Sequence, residues 1–292
     1  MLRGRGRSSR GHARFRSPPM PLTLSLRDLG AAAPLAIDLG GVVPQVVRDL
    51  DASAIARLEV RADGEPVRLG DVASIGGSAC DGTIECLGDF ARVHQVAAGM
   101  TCGAIVVRGS VGRHAGAGMT GGTLTVEGSA GDWLAAEMIG GSIHVAGDAG
   151  DGIAGAFPGS AHGMRGGLVV VCGSVGSLAG MRLRRGIVAV GGDCGDAPAF
   201  EMRAGTVVVG GRIGSHPGLG MRRGSLVALS DTPLPPPTFV RGVDWSPAFL
   251  PLVLQRLARA GLRAAEGVHA GCWRQWHGDG LTGGRGEIWH RV

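Results

Sequence analysis

Four arginines, Arg165, Arg184, Arg203 and Arg222, stand 19 residues apart, and Arg185 and Arg223 directly follow two of them. A guanidinium is a permanent cation whose fork of N–H donors matches a carboxylate bidentately. Such a spacing does anion chemistry only if the fold brings the four onto one face. Other chemistry finds no purchase. The six cysteines (Cys80, Cys86, Cys102, Cys172, Cys194, Cys272) contain no C-x-x-C pair, and the nine histidines are scattered. Metal and iron–sulfur sites use short ligand spacings. A G-x-S-x-G nucleophile turn is absent, and so is a lysine-bearing phosphate loop, because the chain has no Lys. Sugar cleavage would need clustered carboxylates, and no repeat column reads as acidic. The expectation is therefore no catalytic residue, no metal and no cofactor held by this chain alone. Arg165, Arg184, Arg185, Arg203, Arg222 and Arg223 are the candidate binding residues.

The element that must position them is a repeat. G-M-T-C-G-A-I-V-V-R-G from Gly99, G-M-T-G-G-T-L-T-V-E-G from Gly118 and G-M-R-G-G-L-V-V-V-C-G from Gly163 share one pattern. Its marker column is Met100, Met119, Met138, Met164, Leu183, Met202 and Met221, in steps of 19 except for one of 26. The long step places a seven-residue insertion within Asp151–Gly163. Glycine recurs three, nine and twelve positions after the marker. Ala or Gly stands three before it: Ala97, Gly116, Ala135, Ala161, Gly180, Ala199 and Gly218. Two apolar columns lie two residues apart, Ile105 through Leu226 and Val107 through Ala228, which puts both on one face of a short strand. A 19-residue unit cannot bury that face alone, but stacked copies can. Residues 99–230 are read as a parallel β-helix of about seven coils, roughly 30–35 Å long at about 4.8 Å per coil. The glycines meet its corners, through positive φ or close backbone approach. The methionines fill core space. The outward column that includes Thr125 and His144 suits solvent or a partner.

Stacking would set the arginines in a row about 5 Å apart. Two readings follow. They are a solvated face, paired locally to Glu137, Glu201 or Asp193, or they are a track for carboxylates on a partner protein or a polyanionic cofactor chain.

Charge argues against nucleic acid. The formal charge is +5, yet residues 1–19 alone hold six Arg and no acid, which leaves the rest at −1. Aromatics are 4%, too few for stacking platforms. Residues 1–19 lack an apolar signal core and read as a disordered or misassigned tail, transit-peptide-like in composition, with Met20 as the start. No apolar run reaches membrane-spanning length, so a cytoplasmic protein is expected.

The flanks differ from the repeat. Residues 20–98 form an N-terminal α/β cap region, with strands at Leu22–Leu26 and Arg57–Arg61 and a helical stretch around Val42–Leu50. Gly82–Gly88 reads as a degenerate first coil. Residues 231–292 comprise a Pro-rich linker (Thr232–Thr238) and a C-terminal extension. The extension holds an amphipathic helix at Pro251–Ala260 and four of the five tryptophans. It caps the stack or docks a partner.

The pattern G-x-G-M-x-G-G-x-[IL]-x-V-x-G-x-x-G resembles the C subunit of formylmethanofuran dehydrogenase. So do D-W-L-A-A-E-M (Asp132–Met138) and A-F-P-G…G-M-R-G-G (Ala156–Gly167). The closer match is the C subunit of the bacterial formyltransferase/hydrolase complex. The resemblance covers residues 84–230, and Gly278–Ile288 is similar to that family's ending. The same repeat occurs in the C-terminal domain of the large glutamate synthase polypeptide. The family implies a right-handed β-helix and a non-catalytic role beside the sister A, B and D subunits. Those transfer a formyl group between tetrahydromethanopterin and a methanofuran-like, polyglutamylated carrier and release formate, in formaldehyde oxidation by methylotrophs. The archaeal tungsten or molybdenum dehydrogenase and a glutamate-synthase-like structural domain stay open as alternatives.

Overall fold

Short β-branched segments between glycines form the strands. In a computed structural model, residues 20–230, 235–268 and 271–292 are described. The expectation for residues 1–19, and that for part of the Pro-rich segment, lie outside these. The repeats supply strands β8 (Ala104–Val107), β9 (Thr123–Val126), β10 (Ser142–Val145), β11 (Leu168–Val171), β12 (Ile187–Val190), β13 (Thr206–Val209) and β14 (Arg223–Ala228). Each pairs in parallel with the next, in register 19 or 26 residues on. A second row of single bridges runs Phe90, Val111, Ala130, Ala149, Val175, Cys194 and Ile213. Every unit thus lies on the one before it.

The N-terminal region supplies β1 (Leu22–Leu26), β2 (Ile37–Asp38), α1 (Pro44–Val47), α2 (Ala52–Ala56), β3 (Glu59–Ala62) and β4 (Glu65–Arg68). It continues with α3 (Leu69–Val72), β5 (Ala73–Gly76), β6 (Thr83–Leu87) and β7 (Val93–His94). Strand β6, the expected degenerate coil, joins β8 in parallel. Strand β1 pairs in parallel with β6 and antiparallel with β5. A separate four-stranded sheet has the order β4-β3-β2-β7. The helical stretch expected around Val42–Leu50 shrinks to four residues beginning at Pro44, whose ring suits a first helical turn.

The C-terminal extension holds β15 (Val240–Trp245), α4 (Phe249–Arg259), β16 (Trp273–Gly278) and β17 (Arg285–Arg291). Strand β17 lies parallel on β14 and continues the ladder by one more strand, and β16 and β15 follow antiparallel. The main sheet therefore has 13 strands. The open end of the repeats is covered by the chain's own tail, as an exposed parallel edge requires.

The inward columns make the core. All seven marker residues, six Met and Leu183, are fully buried, as are both Ile/Leu/Val columns. One column differs from the sequence reading. Across the insertion, the residue in register with Ala135 and Gly180 is Ala154, whose N–H donates to the Leu134 carbonyl while Ile153 accepts from Gly180. Ala154 is buried and Ala161 is exposed. The seven extra residues follow the corner instead of preceding it, so Ala161 belongs to the excursion.

Glycine serves two separate needs. The column Gly103, Gly122, Gly141, Gly167, Gly186, Gly205 and Gly224 has positive φ throughout. The column nine after the marker does not. There, a Cβ on Gly128 would lie 2.6 Å from Ser110 Oγ and 2.7 Å from the Gly109 carbonyl carbon, so close coil-to-coil approach excludes it.

Candidate functional site

The coil register builds the arginine row directly. The Arg165, Arg184, Arg203 and Arg222 amides donate to the Met138, Met164, Leu183 and Met202 carbonyls at 2.7–2.9 Å. Each of these arginines sits one position past the buried marker of its own coil, and its backbone is held against the marker of the coil before. All four side chains are exposed, as are Arg185 and Arg223. The six sequence-selected residues thus form one surface. In the same column, earlier coils carry Thr101, Thr120 and Ile139, so the row is cationic only from Arg165 onward.

The three carboxylates expected to pair with the row each have another partner. Glu201 pairs with Arg182 at 2.7 Å, Asp193 with Arg212 at 3.1 Å, and Glu137 accepts the Phe157 amide at 3.2 Å. Among the described residues, none of the six arginines makes an ion pair. Glu201 nevertheless lines the same recess as Arg203 and Arg222. The backbones of the row stand about 4.8 Å apart from coil to coil, a separation at which two unit charges repel by roughly 1 kcal/mol in water.

A groove of about 600 Å³ runs beside the row. Arg184, Arg185, Arg203 and Arg223 line it over a floor of Ala204, Gly205 and Gly224. A smaller recess of about 130 Å³ on the other side of Arg203 is lined by Glu201, Gly220, Arg222 and Thr282. Sequence reading missed two contributors. Arg285 is the direct register partner of Arg223, with Gly286 opposite Gly224, and it too is exposed. Thr282 donates its hydroxyl to the Met221 carbonyl at 2.7 Å. The available signal was R-G-E-I (Arg285–Ile288), which repeats R-G-S-L (Arg223–Leu226).

The insertion reaches the same corner. Its Ser160 carbonyl accepts from Arg182, and Phe157 packs its ring edge-on to His114 at 5.4 Å and against Trp133 at 5.7 Å.

Two further clusters carry reactive side chains. Cys172 Sγ lies 3.5 Å from His144 Nε2 in a cleft of about 650 Å³ with Arg263 and Glu266. Burial raises the Cys172 thiol above its ordinary range and outweighs the opposing pull of Arg263, so it stays protonated at neutral pH and is a poor nucleophile. His94 and His114 both titrate below the usual imidazole value, chiefly through burial and then the Arg113 charge. That keeps them neutral, but neither lies beside a nucleophile. Among the described residues, no group of three or more His, Cys, Asp and Glu could hold a metal ion. No helix among them is long and apolar enough to cross a membrane.

The columns read as non-acidic need correction. Ser110, Ser129, Asp148, Ser174 and Asp193 form one mixed column, and Asp132, Asp151, Ser177 and Asp196 another. Each accepts the amide of the residue one coil on. These carboxylates hold the backbone and are not arranged for acid–base work.

Comparison with known proteins gives the arrangement a relative. No protein-family model matches the chain, and no curated protein does. Among solved structures, the chain is similar to a chain of the formyltransferase/hydrolase complex (FhcABCD) from Methylorubrum extorquens, crystallised with methylofuran. Identity is 36%, the TM-score is 0.84, and the match covers 92% of this chain and 99% of that one. At that identity over nearly the full length of both chains, this chain belongs to the family of subunits that build formyltransferase/hydrolase complexes.

Proposed function

We propose that the chain is the C subunit, the non-catalytic structural component, of a formyltransferase/hydrolase complex in tetrahydromethanopterin- and methanofuran-linked one-carbon metabolism. The sister A, B and D subunits carry out formyl transfer and formate release in the cytoplasm. This chain is their right-handed parallel β-helical scaffold, and its arginine row guides an acidic, polyglutamylated carrier or seats one of the sister proteins. The complex assignment draws support from a relative that is a chain of a multi-subunit complex holding methylofuran. The single observation that carries the role of this surface is the in-register row Arg165–Arg184–Arg203–Arg222, exposed and without an ion pair among the described residues.

The test is the double variant Arg184→Glu/Arg203→Glu co-produced with the sister subunits. Both side chains are exposed, so the isolated chain keeps its melting temperature within a few degrees. Recovered complex, or its formyl-transfer kcat/KM, falls at least tenfold. Wild-type assembly together with wild-type turnover rejects the role of the row. Mass spectrometry of what co-purifies with the tagged wild-type chain tests the complex itself. Formyltransferase and metal-dependent hydrolase subunits are expected, whereas a glutamate-synthase partner or a tungsten or molybdenum protein selects an alternative.

A further inference from the structure

We infer that His94 is an acid-labile rung of the stack: its neutral imidazole ties the N-terminal cap sheet to the next coil, and a proton on Nδ1 releases that tie.

The rung stands at the head of a side-chain column. In that column Asp132, Asp151, Ser177 and Asp196 each accept the amide one coil on. His94 holds the same place two coils before Asp132, with Arg113 between, and its Nδ1 accepts the Arg113 amide at 3.0 Å. The seat is built alike each time. A Cβ on Gly112 would overlap His94 Nδ1, as one on Gly150, Gly176 or Gly214 would overlap the Oδ1 of Asp132, Asp151 or Asp196. The imidazole therefore stands in for a carboxylate or hydroxyl oxygen, with one chemical difference. A carboxyl group or a hydroxyl retains acceptor capacity in its neutral form, whereas an imidazolium donates from both nitrogens and accepts at neither. Protonation at Nδ1 sets its N–H against the Arg113 N–H.

The topology says what the rung holds. His94 lies on β7, which pairs with β2 opposite Asp38 and ends the four-stranded cap sheet. On its other side β7 meets the next coil through three successive bonds. The Gly112 amide donates to the Val93 carbonyl, the Arg113 amide to His94 Nδ1, and the Gln95 amide to the Arg113 carbonyl. Of these three, the middle one is the bond that a proton removes, and it leaves the Arg113 amide without its acceptor.

The surrounding charges set the direction. Burial disfavours a proton on His94 most, Arg113 and His114 on the next coil add to that, and Asp38 on β2 opposes it. Asp38 is itself held by the Gln95 side-chain amide and the Gly40 N–H, and Glu59 and Arg61 on β3 line the recess beside it. A base whose folded pKa is depressed adds stability above its unfolded value of about 6.5 and loses it as pH falls through the lower folded value. The tie is thus intact at neutral pH and is lost on the acid side.

Hydrogen exchange of the full chain, read by mass spectrometry at pH 7.5, 6.0 and 4.5 and corrected for the intrinsic effect of pH, tests this. In wild type, protection of Arg113, of Ile37–Asp38 and of Val93–His94 falls about tenfold or more across this range, while β11, β12 and β13 change less than about threefold. His94→Asn presents an oxygen acceptor that does not titrate, and it holds protection within about threefold at every pH. His94→Ala shows the acid level of protection already at pH 7.5. His114→Gln removes a neighbouring imidazole, keeps the loss and moves its midpoint to higher pH. A wild-type cap as protected at pH 4.5 as at pH 7.5 overturns the inference. So does an acid loss in His94→Asn equal to that of wild type, because the proton then acts on another group. Should His94→Ala fail to fold, the comparison of wild type with His94→Asn decides alone.

Discussion

At the scale of single residues, the corners of the coils hold an energetic oddity. The column five positions before the marker contains Gln95, His114, Trp133, Leu178, Ala197 and His216, and each has φ between 53° and 64°. An L-residue in the left-handed region carries about 1–2 kcal/mol of strain. Glycine occupies the equivalent place only once among the repeats, at Gly152, with φ of 71°. The corner is therefore imposed by coil closure, and the side chains tolerate it. Ala197 is half-buried and its side chain contributes little packing. Ala197→Gly is expected to raise stability by about 0.5–1 kcal/mol, as strain relief exceeds the added chain entropy. Ala189→Gly, in the buried middle of β12, is expected to lower it by about 1 kcal/mol. Urea denaturation of the two variants reads the opposite signs, and a loss in both would show that the corner is unstrained.

At the scale of elements, the outward face of the repeat strands changes character along the stack. Val106, Thr125 and His144 are half-buried, whereas Val170, Ala189, Val208 and Val227 are fully buried. Helix α4 covers that second half with Leu250, Leu254 and Leu257, whose spacing of four and three makes one apolar stripe. Trp273 and Trp289 close the same cluster. Leu254→Ala is expected to cost about 2–5 kcal/mol and to red-shift tryptophan emission while strand circular dichroism persists. An unchanged urea midpoint would mean that α4 contributes nothing. The inward columns, the glycine columns, β1 and α4 are all legible in sequence, because each obeys a period of 2, 3.6 or 19. The covered outer face is not, because its first coils mix Val106 with Thr125 and His144 and only docking decides the rest. Strand β17 and Arg285 escape for a related reason: the register is regained after a long excursion, without the Met marker. The first reading of Ala161 fails because an insertion shifts the period on only one side of itself.

At the scale of the molecule, two side-chain ladders tie the coils together. In one, Ser110, Ser129, Asp148, Ser174 and Asp193 each accept the amide one coil later, ending on Arg212. In the other, Asp132, Asp151, Ser177 and Asp196 do the same, ending on Ser215. Backbone hydrogen bonds from Arg212 and Ser215 hold Asp193 and Asp196 below the ordinary carboxylate range. Asp244 is lowered as well, chiefly by the Arg274 side chain. A carboxylate with a depressed folded pKa adds stability above its unfolded value of about 3.9 and loses it as pH falls through the lower folded value. The melting temperature is therefore expected to be insensitive to these groups between pH 7 and 5 and to fall below about pH 4. The double variant Asp193→Asn/Asp196→Asn keeps an acceptor oxygen at each position and removes the charges. Its melting temperature at pH 7 should drop modestly, since both groups are exposed, and its decline below pH 4 should be shallower than wild type, with Asp244 supplying the remainder. An identical acid decline in calorimetry would show that the ladders act through geometry alone and that acid loosens the stack elsewhere.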